Sequence, residues 1–455
     1  MNLVKLSLVA ALAAGSFSAL NAKSLEEAIK NVDVSGFARY RYDSMSWDKD
    51  GYKNLTAGAN AVNYQQKHRY RAFLNTSFGV GDNFKLYGQL MYNNDTNGGF
   101  DEGTQTKKEI VLKQAYFSYD LKDAGLSFVL GRQSLGTIWT EDLTGMTAKI
   151  LFTPADGLTI AAFAVDSIEG ADTTDETTKS VDGWQVGDTD ATNFQAYLGG
   201  KNKDARTLTK RLYRENMYGA AVLAKFGGLD AQIWGNHWDK TATLYAVNLN
   251  YKLNLGGGDN IGIKASYLGN VLDGVLKNDA GATYGKMLGN GNLGDLRVSA
   301  KISGFDAQLG GIYFGQKDKF TINTLEGLSG IGANAIGREI LYQRGSWLPL
   351  AYGQSLYGYI GAGYTLPADV RLGVQGVFGE TSNDAKGQAD KGIGQKMELV
   401  AEANYKATKN LNFLLWYSYL TSKADEGKSD NATNPTYSDI TSTKSTVRFE
   451  AVYRF

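Results

Sequence analysis

Basic side chains recur at every second position in two early segments of the chain. Arg39 and Arg41 alternate with apolar and aromatic residues, Arg69 and Arg71 do the same further along, and Lys85 lies in the segment after that. Period-two alternation is typical of a β-strand that has one face in water. Cations clustered in a confined aqueous space attract anions and require opposite charge nearby. We therefore predict that these residues line the basic side of a water-filled interior.

Acidic residues follow in segments that read as connections between strands. Glu141 and Asp142 lie in the connection 134–145, and Asp166 opens the next long one. That connection also contains Glu169, Asp172, Asp175 and Glu176. Folded inward, such carboxylates would face the basic residues and set up a transverse field. We predict that Glu141, Asp142 and Asp166 form the acidic side of a constriction; simple solvation of a wide interior is the alternative.

The segments that must position these charges are β-strands. Eighteen segments, from residues 32–42 to residues 443–455, show a strand pattern. In the last of them Val447, Phe449 and Ala451 alternate with Arg448 and Glu450. The charged face requires water, and the apolar face suits lipid. No segment after the first 22 residues is apolar over the roughly 18 to 20 residues that a spanning helix needs.

The connections between these segments alternate between short and long. Short ones include 79–83 and 227–228, whereas long ones include 43–65, 168–215 and 317–353. Short periplasmic turns alternating with long external loops are typical of outer-membrane barrels. The four prolines are all predicted to lie in connections. The sequence therefore predicts an all-β fold, an 18-stranded antiparallel transmembrane β-barrel.

Closure follows from the chemistry of the membrane. Hydrocarbon offers no partner to backbone N–H and C=O groups, so the last strand must pair with the first. We expect residues 443–455 to pair with residues 32–42 and to place Val34 near Val452, or near a neighbour one register away. A barrel of this size encloses an aqueous channel rather than a packed core.

Composition and the first residues agree with an exported barrel. The 455-residue chain has 55 glycines, 4 prolines and no cysteine, and its 47 basic and 47 acidic side chains give no bulk charge for nucleic acid. Lys5, an apolar run from Leu6 to Leu20 and Ala22 are typical of a signal peptide. We predict a signal peptide at 1–22, a short periplasmic segment at 23–31 and the barrel at 32–455.

Several stretches spread over the whole chain carry a family resemblance. They are LVKLSLVAALAAG near the start, LEEAIKNVDVSGFARYRYD at 25–43, IWTEDLTG at 138–145, DGLTIAAFAVDS at 156–167 and STVRFEAVYRF at the end. In these the sequence resembles the major outer-membrane porin of Campylobacter and its epsilonproteobacterial relatives. The resemblance implies an 18-stranded trimeric barrel in the bacterial outer membrane that allows passive, cation-selective diffusion.

The resemblance also implies a calcium ion bound among pore carboxylates. The candidate ligands in family-matching regions are Asp142 and Asp172, with Glu326 or Glu339 from the 317–353 connection. Calcium prefers several oxygen ligands at once. Scattered acids on solvated loops are the alternative, and no cofactor is otherwise required.

The leading hypothesis is a porin for small hydrophilic solutes and ions with weak cation selectivity. A substrate-specific channel is the runner-up, and a porin that doubles as an adhesin through its long loops is a further alternative. We do not expect an enzyme, because the chain has two histidines, His68 and His237, and neither lies in a catalytic motif. The expected partners are outer-membrane lipid, two further copies of the chain, and small solutes and cations.

Overall fold

The computed structural model describes ten stretches of the chain. They are residues 32–47, 64–80, 83–94, 109–169, 215–279, 285–332, 337–341, 351–382, 394–424 and 440–455. The predicted signal peptide and periplasmic segment lie outside these stretches and stay predictions. Within the described residues, no helix is long and apolar enough to cross a membrane.

Strands account for almost all of the described structure. They are β1 Val32–Trp47, β2 Tyr64–Val80, β3 Phe84–Asn94, β4 Val111–Leu121, β5 Leu126–Ser134, β6 Thr144–Ala155, β7 Leu158–Glu169, β8 Met217–Phe226, β9 Leu229–Trp238, β10 Ala242–Gly256, β11 Asp259–Leu272, β12 Leu288–Gly289, β13 Asn292–Ile302, β14 Phe305–Thr321, β15 Ala351–Thr365, β16 Val370–Ser382, β17 Gly394–Lys406, β18 Leu411–Ala424 and β19 Ile440–Arg454. Within the described stretches, an α-helix, α1, covers Gly274–Asp279, and 3-10 turns cover Lys122–Ala124, Gly285–Met287 and Ser329–Ile331.

Eighteen of these strands form one closed antiparallel sheet. Each pairs with the next along the chain, and β19 pairs with β1. The two-residue β12 is an addition that pairs in parallel with the end of β14. The predicted 18-stranded barrel is therefore confirmed. We call the end of the barrel with the short connections the turn end, and the opposite one the loop end.

The two faces of the wall differ in polarity as the alternation predicts. In β10, Leu244 and Ala246 are buried inside, whereas Tyr245, Val247 and Leu249 are exposed on the outside. Exposed Leu, Ile, Val and aromatic side chains recur along the other strands. With every ladder paired, such an outer face is compatible with hydrocarbon.

Tight turns at the turn end depend on residues that tolerate positive φ. Ser303 and Gly304, with φ of 50° and 86°, connect β13 to β14. Two successive positive φ values match the twist of a hairpin. Pro154 was predicted in a connection, but it lies within β6, at a register shift between Phe152 and Ala155. A residue at such an irregularity does not have to donate a hydrogen bond to the ladder, so a proline, which has no N–H, is tolerated there.

The seam between β19 and β1 has a different register from the predicted one. Tyr40 lies opposite Ala451, and Val452 lies opposite Arg39, so the placing of Val34 near Val452 is wrong. The barrel strands are staggered, as closure of a tilted sheet requires. Gly36 and Phe455 exchange backbone hydrogen bonds of 3.0 and 3.1 Å where the seam ends.

Candidate functional site

Two connections at the loop end fold back into the barrel. Loop A comprises residues 135–143, between β5 and β6, and loop B comprises residues 322–332 and 337–341, between β14 and β15. The N–H of Leu325 donates to the carbonyl oxygen of Trp139 at 2.9 Å. This bond joins the two loops inside the lumen.

One side of the joined loops is an apolar core. The buried loop side chains are Leu135, Ile138, Trp139, Leu143, Leu325, Leu328, Ile331, Ile340 and Leu341, and they pack against a wall that includes Phe163, Trp234, Leu244, Leu293, Phe314 and Tyr357. Trp139 meets Trp234 edge-on, with ring centroids 6.2 Å apart. The half of the lumen bounded by β7 to β15 is therefore filled.

The wall formed by β19, β1 and β2 is charged instead. Arg39 lies opposite Arg71, and Arg41 lies opposite Arg69, in the β1–β2 register. We call these four residues the arginine quartet. Like charges at opposed positions destabilise a sheet, so acidic neighbours are required. Glu450 lies 2.6 Å from Arg41 and 4.0 Å from Arg39.

A buried carboxylate supports the other end of the quartet. Asp43 is 1 % exposed, pairs with Arg448 and lies 3.3 Å from Arg69. Both Asp43 and Arg448 are buried, and a buried charge persists only when it is paired and hydrogen-bonded. This pair fixes the seam strands against each other.

Asp142 joins loop A to the charged wall. Its carboxylate lies 2.9 Å from Arg71 and 3.8 Å from Lys113, on β4. Burial opposes ionisation of Asp142, but Arg71 and Lys113 outweigh it, so the pKa of Asp142 lies below its ordinary value. Asp142 is therefore a stable anion that anchors the loop.

Glu326 holds the two loops together. Its carboxylate accepts hydrogen bonds from the backbone N–H groups of Glu141, Asp142 and Leu143 at 2.5, 2.8 and 3.1 Å. Burial raises the pKa of Glu326 to about 7, although the three N–H donors favour its ionised form. These three hydrogen bonds hold the backbone of loop A around the Glu326 carboxylate.

Glu398 repeats this arrangement between loop B and the wall. It lies on β17, is 0 % exposed, and accepts N–H bonds from Arg338, Glu339 and Ile340 at 2.7, 3.0 and 3.0 Å. The hydroxyl of Ser418 donates to it as well, at 2.8 Å. Loop B is thus tied to the wall through its backbone.

Two ion pairs reinforce this attachment. Lys444 on β19 lies 2.5 Å from Glu339, and Arg338 lies 2.5 Å from Glu402 on β17. Arg371 forms ion pairs with both Glu402 and Asp306. The joined loops therefore cross the lumen from β17 and β19 to β2 and β4. They separate the filled half from a polar half lined by the arginine quartet.

The structure brings some of the predicted site residues together and leaves others apart. Both acidic residues predicted for the constriction lie on loop A, where Asp142 contacts Arg71 of the quartet and the N–H of Glu141 donates to Glu326 of loop B. Lys85 lies toward the turn end of β3, opposite Gly79, and its side chain is 60 % exposed near Asp120. Asp166 is exposed on β7, at a register shift, rather than on the joined loops.

Sequence reasoning missed three residues that anchor the loops. Lys113, Glu398 and Lys444 are nearly or fully buried and hold Asp142, the loop B backbone and Glu339. Strand parity could have placed Glu398 and Lys444 in the lumen, but Lys113 lies at a register shift of β4 and shares the parity of the exposed Phe117 and Tyr119. Strand parity does not show what a side chain binds, because the partners come from distant connections.

Each described carboxylate named for calcium has a protein partner. Glu326 is surrounded by N–H donors, and Glu339 is paired with Lys444. Asp142 is paired with Arg71, and Asp172 lies outside the described residues. In the described stretches no three acidic, histidine or cysteine side chains form a cluster that could hold a metal ion. The described members of the set, Asp142, Glu326 and Glu339, therefore do not by themselves offer the several convergent oxygens that calcium needs, and a site completed by Asp172 stays a prediction.

The two histidines also lie apart from each other. His68 Nδ1 is 2.8 Å from the hydroxyl of Tyr40, and His237 Nδ1 is 3.2 Å from the hydroxyl of Thr243. Neither bond forms a nucleophile–base–acid arrangement.

A closed antiparallel barrel with an apolar outer face and a lumen narrowed by inward loops defines the class of outer-membrane porins. Solved structures of that class share the fold. OpdK of Pseudomonas aeruginosa, solved with vanillate, has a TM-score of 0.58 at 12 % identity over 93 % of this chain and 98 % of its own. OccK9 (OpdG) of the same organism has a TM-score of 0.60 at 13 % identity over 94 % and 100 %. A BenF-like porin of Pseudomonas fluorescens Pf-5 has a TM-score of 0.61 at 12 % identity over 94 % and 99 %.

The chain belongs to the Campylobacter major outer membrane protein family, whose model matches residues 1–455. No curated protein matches it. The predicted family and the outer-membrane location are thereby confirmed, and family and fold together support an outer-membrane porin channel. The turn end is the periplasmic end, and the loop end faces outward.

Proposed function

We propose that the protein is a passive diffusion channel for small hydrophilic solutes and ions, with a weak preference for cations. The observation that carries this proposal is the division of the lumen. The joined loops fill one half, and the other half is bounded by charged side chains of both signs. Such a lumen needs no cofactor, since transport is diffusion through a restricted polar path.

Charge placement supports a weak selectivity. The described parts of loops A and B contain four carboxylates and one guanidinium: Glu141, Asp142, Glu326, Glu339 and Arg338. Asp142 lies against Arg71 of the charged wall, whereas Glu339 is paired with Lys444 on β19. Opposed charges give cations and anions separate sides of the lumen, so neither sign is strictly excluded.

The test is a planar-bilayer recording on folded, purified protein under a potassium chloride gradient. Stepwise conductance with a reversal potential of cation-selective sign supports the proposal. A folded protein that does not conduct overturns the channel, and a reversal potential of anion-selective sign overturns the cation preference alone.

A substrate-specific channel is the second candidate, and the arginine quartet favours it. Guanidinium groups arranged in opposed pairs suit carboxylate ligands. The structural neighbour OpdK was solved with vanillate, which is a carboxylate. Competition between one solute and the ion current separates this candidate from general diffusion.

We also propose that the protein forms homotrimers in the membrane. The exposed apolar outer wall supports a contact between barrels, although it also suits lipid. Native mass in mild detergent tests this: three chains support it, and one chain overturns it. Adhesion through long loops stays a prediction, because much of those loops lies outside the described residues.

A further inference from the structure

We propose that the lumen faces of β2, β3 and β4 form a binding patch for neutral polyhydroxylated solutes of the size of a monosaccharide. This inference rests on the proposed channel function and names a class of solute for it. The patch consists of Asn75, Gln89, Gln114, Tyr87 and Tyr116, and we call it the amide-tyrosine patch. Because such solutes carry no net charge, their binding is compatible with a preference for cations in the ion current.

The first row of the patch is a chain of side-chain amides that crosses three strands. Gln89 donates to Asn75 at 2.8 Å, and Gln114 donates to Gln89 at 2.9 Å. Asn75 donates onward to the hydroxyl of Ser35 at 3.3 Å, and the N–H of Ser134 donates to Gln114 at 3.0 Å. A hydrogen-bonded chain of this kind orients its members. The amides of the first row are therefore held in place before a solute arrives.

The two outer amides of this row keep hydrogen-bonding capacity for a solute. The side-chain nitrogens of Asn75 and Gln114 each carry two hydrogens, and each donates one of them to a described group. Both side chains are partly exposed, whereas Gln89 between them is buried. An amide also has two lone pairs on its oxygen. The row therefore offers donors and acceptors side by side, which is what the hydroxyl groups of a sugar require.

The second row lies two residues further toward the turn end and presents aromatic rings. Tyr87 lies opposite Tyr116 in the register, and the two rings stack with their centroids 4.7 Å apart. Both side chains are partly exposed in the lumen. Gln89 donates to the hydroxyl of Tyr87 at 3.4 Å, whereas the hydroxyl of Tyr116 bonds to none of the described groups. The Tyr116 hydroxyl is therefore available to a solute.

The positions on either side of the tyrosine pair have small residues. Ser77 lies opposite Tyr87, and Gly131 on β5 lies opposite Tyr116. Gly131 has a φ of 131°, and a Cβ there would lie 2.6 Å from the carbonyl oxygen of Ala115, so a larger residue is disfavoured. No side chain therefore covers Tyr116 from the opposed position of β5. The face of an aromatic ring is electronegative and attracts the polarised C–H groups of a sugar ring.

The size and the surroundings of the patch suit a single sugar ring. Its two rows are separated by two residues, roughly 7 Å, and its three strands span about 10 Å. On β2 the patch follows Arg71 and Phe73 toward the turn end, so a solute from outside reaches it after the ion pair between Arg71 and Asp142. Asp33 on β1 lies opposite Ser77 and is exposed. Its carboxylate accepts strong hydrogen bonds from hydroxyl groups at the edge of the patch.

The experiment measures how D-glucose reduces the single-channel potassium chloride current. Glycerol is the reference solute, because it has hydroxyl groups but no ring, and all solutions are adjusted to the same bulk conductivity. We expect glucose to reduce the current more than glycerol does and to saturate. Tyr116→Leu removes the ring and the hydroxyl, so the half-saturating concentration of glucose should rise about tenfold. Tyr116→Phe keeps the ring and should show a smaller rise.

Tyr119→Leu is the matched control, since Tyr119 lies on the same strand but is 40 % exposed on the outer face, and glucose should act on it as on wild type. Gln114→Leu, which removes an amide, replaces Tyr116→Leu if that variant does not fold. Equal effects of glucose and glycerol on a conducting wild-type channel overturn the inference and leave the channel function intact. An unchanged half-saturating concentration in the Tyr116→Leu or Gln114→Leu channel, or an equal rise in Tyr119→Leu, also overturns it. A wild-type protein that does not conduct overturns the channel function itself.

Discussion

Asp142 and Arg71 lie 2.9 Å apart, and this ion pair closes the span that loops A and B make across the lumen. One partner belongs to a connection and the other to the wall. The pair therefore couples the position of a loop to the charge of a single carboxylate.

Acid should release this end of loop A. The pKa of Asp142 is lowered, so its stabilising effect is present above the ordinary value of 3.8 and is lost as the pH falls through the lowered pKa. We expect current noise to increase only when recordings are taken well below pH 3.8. Asp142→Asn should show the noisy state already at neutral pH and remove this acid transition. A wild-type trace that stays quiet at low pH would contradict the anchoring role.

Glu398→Gln should free loop B from the wall. A glutamine side chain has one acceptor oxygen, so some of the N–H groups of residues 338–340 lose their partner, at a cost of about 1–3 kcal/mol each when buried. We expect larger and less uniform single-channel conductance. Glu380→Gln, at an exposed position on β16, is the control and should behave as wild type. An unchanged conductance in Glu398→Gln would show that the ion pairs alone hold the loop.

Trp139→Ala should destabilise the filled half of the lumen. Trp139 is 1 % exposed and contacts Trp234, and truncation of a buried tryptophan costs about 3–5 kcal/mol. We expect a lower unfolding temperature and a higher conductance. Trp139→Phe keeps most of the packing and should show a smaller effect on both. A variant with wild-type conductance would mean that loop A does not narrow the channel.

Paired cysteines test the seam. Tyr40→Cys with Ala451→Cys should form a disulfide under mild oxidation of folded protein, because the two positions are directly opposed. Val34→Cys with Val452→Cys should not, since Val452 lies opposite Arg39. The chain has no cysteine of its own, so there is no background reaction. The reverse result would require a different register.

Alternation of side chains predicted the wall of this barrel well, because each strand shows one face to lipid and the other to the lumen. The basic quartet was found in this way from four arginines on two segments. Register was not predictable in the same way. The stagger between β1 and β19 depends on closure of the whole sheet. The sequences of these two strands alone do not determine it.

The constriction was predictable only in part. Glu141 and Asp142 were identified from their charge and from their place in a connection that could fold inward opposite the basic residues. The role of Glu326 could not be found, because its partners are backbone N–H groups that leave no mark on the sequence. Glu398 was visible as an inward carboxylate on β17, but its partners lie in a connection whose path no local pattern reveals.

The seam has a consequence for how the protein forms. Arg41 and Glu450, which pair across it, are separated by 409 positions in the chain. Contacts between such distant residues make folding slow, since the loop-closure entropy must be lost before they form. The ring cannot close until the β19 segment has been delivered, and until then β1 has an unpaired edge. The barrel can therefore close only after the whole chain up to β19 is present, so its closure is a late step of folding.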